Sequence, residues 1–186
     1  MKIFIKCIDH GSIMRAFLAL SCDEAADAFR RMQAVLPKKG LSFPKDFHLT
    51  LRFFRELDEI GYDHILHKFR SLRFSPFSVE LDKVWFFPDA SFIRVVWVGV
   101  TPNEEVRRLK KEVDELLSGY WRYEKRFVPH ITLARVKGKQ PGLYEAAMEI
   151  EVPKISLRFD ALHLIESSLT PEGPQYETKA TFPFQE

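Results

Sequence analysis

The chain has 186 residues, 46% of them hydrophobic and 13% aromatic, which is a globular composition long enough to bury a substantial core in one domain or in two small lobes. Its 28 Lys and Arg against 26 Asp and Glu leave a formal charge of only +2. That excludes a nucleic-acid binder working by bulk electrostatics, so any phosphate or RNA site must be local. The two cysteines, Cys7 and Cys22, have no CxxC or Cys/His ligand spacing, which argues against a disulfide framework or zinc knuckle and favours a reducing compartment. The apolar runs, such as Val95 to Val100, fall far short of the ~20 residues that cross a bilayer. The opening MKIFIKCIDHGSI has no small-residue cleavage site for a signal peptide, and a cytoplasmic protein is expected.

In chain order, RAFLAL (Arg15 to Leu20) reads as a buried strand. SCDEAADAFRRMQAVL comes next, with Ala25, Ala28, Phe29, Met32 and Leu36 on one helical face and Ser21 or Asp23 as N-cap. DFHLTLRFF (Asp46 to Phe54) is a strand with His48 inside it, YDHILHKFRSL predicts a second helix, and FSVELDKVWFF predicts another strand. RVVWVGV (Arg94 to Val100) then starts the series again. TPNEEVRRLKKEVDELLSGY has Thr101 and Glu104 at capping-box spacing, Pro102 at the first helical position and Gly119 as a stop; Val106, Leu109, Val113, Leu116 and Leu117 form its apolar face. VPHITLAR brings a second strand histidine, His130, and GLYEAAMEI and ISLRFDALHLIES predict a helix and a strand. The tail, SSLTPEGPQYETKATFPF, reads as a turn and then a final edge strand carrying Tyr176, Thr178 and Ala180.

The chain therefore says the same thing twice. His48-Leu49-Thr50-Leu51 and His130-Ile131-Thr132-Leu133 stand 82 positions apart, each preceded by a strand and a helix. Downstream, Val79-x-Leu81-Asp82-x-Val84 matches Leu157-x-Phe159-Asp160-x-Leu162 at an offset of 78. The repeat implies two related α+β halves, roughly residues 14 to 91 and 92 to 186; residues 1 to 13 stand ahead of both, an extension expected to be dispensable.

Residues i and i+2 of a strand share a face about 6.6 Å apart, so each copy sets an imidazole beside a hydroxyl. If the halves face one another about a pseudo-two-fold axis, two imidazoles and two hydroxyls converge. Histidine is the side chain best suited to take a proton at one oxygen and give one at another near neutral pH. Two of them on opposite sides of a phosphorus suit an in-line displacement, with Thr50 and Thr132 donating to the non-bridging oxygens. No metal or other cofactor is required. Arg135, five residues after His130, is the leading candidate for a fixed positive charge, although its odd offset demands a bulge, a twist or a strand end. Arg55 is the corresponding candidate beside the first motif, because Arg52 alternates away.

The doubled HxTx resembles the 2H phosphoesterase superfamily. Within it, RAFLAL, FHLTLRFF, WVGV, VPHITLARVK and ESSLTPEGPQYE resemble the RNA 2′,3′-cyclic phosphodiesterases, also called 2′-5′ RNA ligases. The resemblance implies an α+β, bilobal, pseudo-two-fold fold, with two antiparallel sheets lining a central cleft and helices outside. It also implies hydrolysis of a 2′,3′-cyclic phosphate at an RNA end to a 2′-phosphate by metal-independent acid/base chemistry, with tRNA fragments among the RNAs that fit and a monomer as the acting species. His48 would protonate the leaving 3′ oxygen and His130 would activate water. Thr50 and Thr132 would hold the phosphate and Arg135 would orient it. One departure is Phe53-Phe54-Arg55-Glu56, where the family has a Phe-Leu-Gly-Glu type of turn.

Other residues divide between functional and structural readings. Arg122, Lys125 and Arg126, with Trp121 and Tyr123, form a basic aromatic cluster that can stack bases and meet phosphates, and an exposed loop would look the same. His64 and His67 read as a solvated helix face rather than metal ligands, and His163 as structural. Two other functions share the motifs: a 2H phosphodiesterase acting on small cyclic nucleotides or 2′-5′ oligonucleotides, with Phe86, Phe87 and Tyr123 shaping the pocket, and a non-catalytic RNA-binding module. A binder has no need of two protonatable side chains.

Overall fold

The computed structural model of the chain describes residues 4–7, 11–122, 126–138, 140–171 and 173–185. Strand β1 (Phe4–Ile5) precedes the first half, which runs through strand β2 (Met14–Ser21), a 3-10 turn (Asp23–Ala25), helix α1 (Ala26–Val35), strand β3 (Leu41–Ser42), strand β4 (His48–Leu57), helix α2 (Glu59–Phe69) and strand β5 (Phe77–Asp89). The second half continues with β6 (Phe92–Thr101), α3 (Glu104–Leu116), β7 (Ile131–Val136), α4 (Leu143–Met148), β8 (Ser156–Phe159), β9 (Ala161–Thr170) and β10 (Gly173–Pro183). None of the helices among the described residues is long and apolar enough to cross a membrane.

The expected α+β architecture is present, and the pairing shows how it is assembled. The strand order is β1-β10-β9-β2-β4-β7-β6-β5-β8, with β3 added beside β7, and the pairing is antiparallel throughout. The ten strands make one antiparallel sheet of two lobes, β1-β10-β9-β2-β4 and β7-β6-β5-β8, joined where Leu49 pairs with Ile131. The repeat halves and the lobes are not the same partition. β5 of the first half pairs with β6 of the second, and β9 of the second half pairs with β2 of the first, so each lobe borrows strands from the other half.

Side-chain alternation sorts the two faces. Leu49, Leu51, Ile131 and Leu133 point to the helix side and are almost completely buried, while His48, Thr50, His130 and Thr132 stand half-buried on the opposite face. Burying each such leucine or isoleucine contributes about 1.5–3 kcal/mol before entropy is counted, so the alternation fixes which face the histidines occupy. One contiguous core runs under both lobes, from Leu18, Phe29 and Phe47 to Val106, Val113 and Leu157.

Two bulges interrupt the alternation at matching places. In β4 the register passes from Thr50↔Ala19 to Arg52↔Leu18, leaving Leu51 as the extra residue. In β7 it passes from Thr132↔Trp97 to Ala134↔Val96, leaving Leu133 as the extra residue. Each bulge inverts the parity of the residues beyond it. Arg52 is thereby buried on the helix side, where its Nη1 lies 3.4 Å from Asp114 Oδ1 of α3 and its Nη2 donates to the Arg122 carbonyl at 2.6 Å. Lys110 donates to the same Asp114 oxygen at 2.7 Å. All three side chains are at least 93% buried, and they tie the first-motif strand to the helix and loop that precede the second motif.

Local capping differs from the sequence expectation. No side chain caps α1: Ser21 Oγ donates to Asp23 Oδ2 at 2.9 Å, and Asp23 Oδ1 instead accepts from Phe47 N, because the 3-10 turn satisfies the first amides. Helix α3 starts at Glu104, so Pro102 lies outside it and Thr101 forms no capping box; Asn103 is the N-cap residue and its side chain accepts from Arg107 Nε at 2.8 Å. Gly119, at φ +89°, occupies the left-handed region expected of a stop. The strand read across ISLRFDALHLIES breaks at Asp160 into β8 and β9, while the matching Asp82 lies at a register shift in β5. β10 is not the sheet edge over its whole length, because Phe4 and Ile5 of the N-terminal extension pair with Thr181 and Ala180.

Candidate active site

Continuing the antiparallel register of Leu49 and Ile131 by one residue each way sets His48 beside Thr132 and Thr50 beside His130. Opposed side chains in such a ladder have Cβ atoms about 4.5–5.5 Å apart and diagonal neighbours stand about 7–8 Å apart. The two imidazoles are therefore diagonal partners with a hydroxyl at each remaining corner. The pseudo-dyad passes between the two motif strands.

Arg135 reaches this face by way of the Leu133 bulge, which resolves its odd offset. Ala134 takes the buried position and Arg135 is exposed, opposite Val95 of β6 and Ser42 of β3. Its charge acts on both histidines. After the equivalent bulge in β4, the residue on this face is Phe53, 55% exposed and 5.5 Å from the Phe17 ring. Arg55 lies exposed two residues further along. The site is thus symmetric in its four motif residues and asymmetric in the fifth position after each histidine, a cation on one side and an aromatic ring on the other.

Aromatic walls enclose each imidazole. His48 lies 4.6 Å from Phe17 and 5.3 Å from Tyr176, the latter edge-on. His130 lies 5.0 Å from Phe87 and 5.7 Å from Trp97. Of these rings only Phe87 figures in the sequence reading of the pocket, because the pairing of β2 with β4 and of β6 with β7, and the place of Tyr176 of β10 against His48, are not written in either motif. His130 Nδ1 is 2.8 Å from the Val128 carbonyl. A carbonyl only accepts, so Nδ1 carries the proton and Nε2 is the basic nitrogen.

Burial and the Arg135 charge disfavour imidazolium. Burial, then Arg135, then His130 push His48 down to about 4 despite the opposing pull of Asp23. His130 is also lowered, by burial first and by Arg135, with the Val128 hydrogen bond working the other way. Both rings are neutral in the free protein at neutral pH. The unfolded chain protonates His48 near 6.5 and the folded chain near 4, so stability falls as pH drops through that window and levels off below it. The loss from His48 is about 3 kcal/mol at roughly 1.4 kcal/mol per pKa unit. Urea unfolding at pH 7 and pH 4.5 will show this loss, and His48→Asn will flatten it. Parallel pH dependences in the two proteins would remove His48 as its source.

Of the other residues singled out, Arg122 and Arg126 are exposed on the segment leading to β7, whereas Tyr123 and Lys125 lie outside the described residues. His64 is not solvated as expected. It stacks on Tyr120 with ring centroids 3.6 Å apart, while His67 is exposed. His163, read as structural, lines the same 240 Å³ pocket as His48, with Tyr176, Ser21 and Asp46, and its Nδ1 lies 3.1 Å from Thr181 Oγ1. Among the described residues no group of three or more His, Cys, Asp or Glu is arranged to hold a metal ion.

The family model of the 2′-5′ RNA ligase superfamily matches residues 17–170, which takes in both motifs and both bulges. The chain belongs to the 2′-5′ RNA ligase superfamily. Within this superfamily it is 38% identical over 140 residues to an RNA 2′,3′-cyclic phosphodiesterase of Aeropyrum pernix, an alignment covering 72% of this chain and 80% of that protein. It is 34% identical over 180 residues to the protein of that name from Methanothermobacter thermautotrophicus, covering 91% and 98%. A crystal structure from Thermus thermophilus superposes with a TM-score of 0.74 at 29% identity, covering 92% of this chain and 98% of that one. E. coli LigT, solved with 3′-AMP, shares the superfamily fold at a TM-score of 0.76 and 20% identity, covering 94% and 100%.

Proposed function

We propose that the protein hydrolyses 2′,3′-cyclic phosphate ends of RNA, tRNA fragments among them, to 2′-phosphates in the cytoplasm. The observation that carries the reading is the diagonal pair of imidazoles with a threonine hydroxyl beside each, on one face of the joined motif strands. The curated relatives' name, RNA 2′,3′-cyclic phosphodiesterase, supports it.

In this mechanism the cyclic phosphate lies between the histidines, its non-bridging oxygens accepting from Thr50 and Thr132 and facing Arg135. Binding of the anion offsets the charge of Arg135 and raises both imidazoles toward protonation, so that the acid is charged only once substrate is in place. His130, whose Nε2 is left basic by the Val128 contact, takes a proton from water as the water oxygen bonds to phosphorus. His48 donates its proton to O3′ as the P–O3′ bond breaks, leaving a 2′-phosphate and a 3′-hydroxyl. A 5′-hydroxyl in place of water gives a 2′-5′ linkage by the same steps. Phe53, exposed on the His48 side, offers a face to the terminal base, and Arg122 and Arg126 offer cations to the RNA chain.

An oligonucleotide ending in a 2′,3′-cyclic phosphate, incubated with the protein in EDTA, is expected to yield the 2′-phosphate. Turnover only of free cyclic nucleotides or 2′-5′ oligomers would reassign the substrate, and binding without turnover would make the protein a binding module.

A further inference from the structure

We infer that Gln33, remote from the motifs in sequence, is a positioning residue that sets Arg135 in the phosphate site; this rests on the phosphate-binding role of Arg135 proposed above. Gln33 sits on α1 and is 8% exposed, an uncommon place for an amide side chain. Its Nε2 donates to two carbonyls at 3.0 Å each, those of Pro44 and Leu133. Leu133 is the bulged residue of β7, the one that takes no place in the ladder with β6. It also falls in the interval of β7 between its pairing with β4 at Ile131 and its pairing with β3 at Arg135.

A bulge leaves backbone groups outside the regular ladder, and a buried carbonyl without a donor costs about 1–3 kcal/mol. Gln33 supplies that donor from the helix side and, through Pro44, fastens the segment entering the first motif to the bulge of the second. Without it, β7 gains by sliding into unbroken register. That shift returns Arg135 to the buried parity and carries its guanidinium off the histidine face. The analogous bulge in β4 is backed from the opposite helix by Asp114 through Arg52, so each motif strand has its irregularity held by the helix of the other half. Gln33 touches no reacting atom and acts through Arg135.

The test is a double-mutant cycle on anion affinity, read by calorimetry with a 2′-phosphomononucleotide, alongside turnover. Gln33→Met keeps the length of the side chain and removes the amide; Gln33→Leu repeats the test should the first fold poorly. Arg135→Met is expected to weaken anion binding about tenfold or more. Gln33→Met is expected to weaken it by a similar factor with the melting temperature lowered by about 2–12 °C and the protein still folded at 25 °C, and Gln33→Met/Arg135→Met to be no weaker than Arg135→Met alone, because coupled residues are non-additive. Unchanged affinity in folded Gln33→Met, or losses that multiply in the double variant, would overturn the inference and leave the function standing. Unchanged affinity in Arg135→Met would instead remove Arg135 from the site, and the inference with it, while turnover by the wild type still tests the reaction.

Discussion

Replacing His48 or His130 with alanine lowers kcat by about 10²–10⁴-fold, the contribution of a positioned acid or base, with a much smaller change in KM. The split comes from the geometry. In the proposed mechanism Thr50, Thr132 and Arg135 still hold the phosphate in either variant, while one proton transfer loses its partner. The double variant is expected to fall well short of the product of the single losses, since an acid without its base has little left to do. Steady-state kinetics on a cyclic-phosphate oligonucleotide gives the answer, and a single variant within threefold of wild type would take that histidine out of the mechanism. Folding is preserved because both rings stand on the half-buried face, away from the leucines and isoleucines that close the core.

The largest expected effect on stability lies on the other side of the sheet. Asp114→Ala removes the carboxylate that faces Arg52 in a site where both are at least 93% buried, and breaking a buried pair in this way costs about 3–5 kcal/mol. For a chain of this size the melting temperature falls by about 6–20 °C. The combined Arg52→Met, Lys110→Met, Asp114→Leu variant is expected to recover most of that loss, since apolar replacement of the whole cluster removes the desolvation penalty together with the attraction. Thermal melts of the two proteins decide the matter. Equal destabilisation in both would mean that the cluster contributes through packing rather than charge.

The doubled strand–helix–strand pattern and its two histidines were legible because each rests on local periodicity and on residue types with distinctive chemistry. Much of the rest depends on pairing across distant strands. Nothing in HITLAR distinguishes a regular strand from one bulged at Leu133, so the route by which Arg135 reaches the histidine face had to come from the register with β6. Phe53 was within reach of the repeat alone: it stands five residues after His48, as Arg135 stands five after His130, which makes the two positions equivalent. Tyr176 and Trp97 wall the imidazoles only because β10 and β6 fold in beside them. Gln33 reads as an ordinary helix residue until its two carbonyl partners, one of them 100 residues away, are known. The failed capping expectations have local origins: the 3-10 turn ahead of α1 takes up the amides a Ser21 or Asp23 cap would have met, and α3 starts at Glu104 with Asn103, not Thr101, as its N-cap residue.

The exchange of strands between halves means that the connection between them carries continuity of chain rather than of structure. Residues 90 and 91 form the tip of the β5–β6 hairpin, and a protease cut there would leave two fragments still interleaved through β5 against β6 and β9 against β2. Neither fragment could complete a sheet alone.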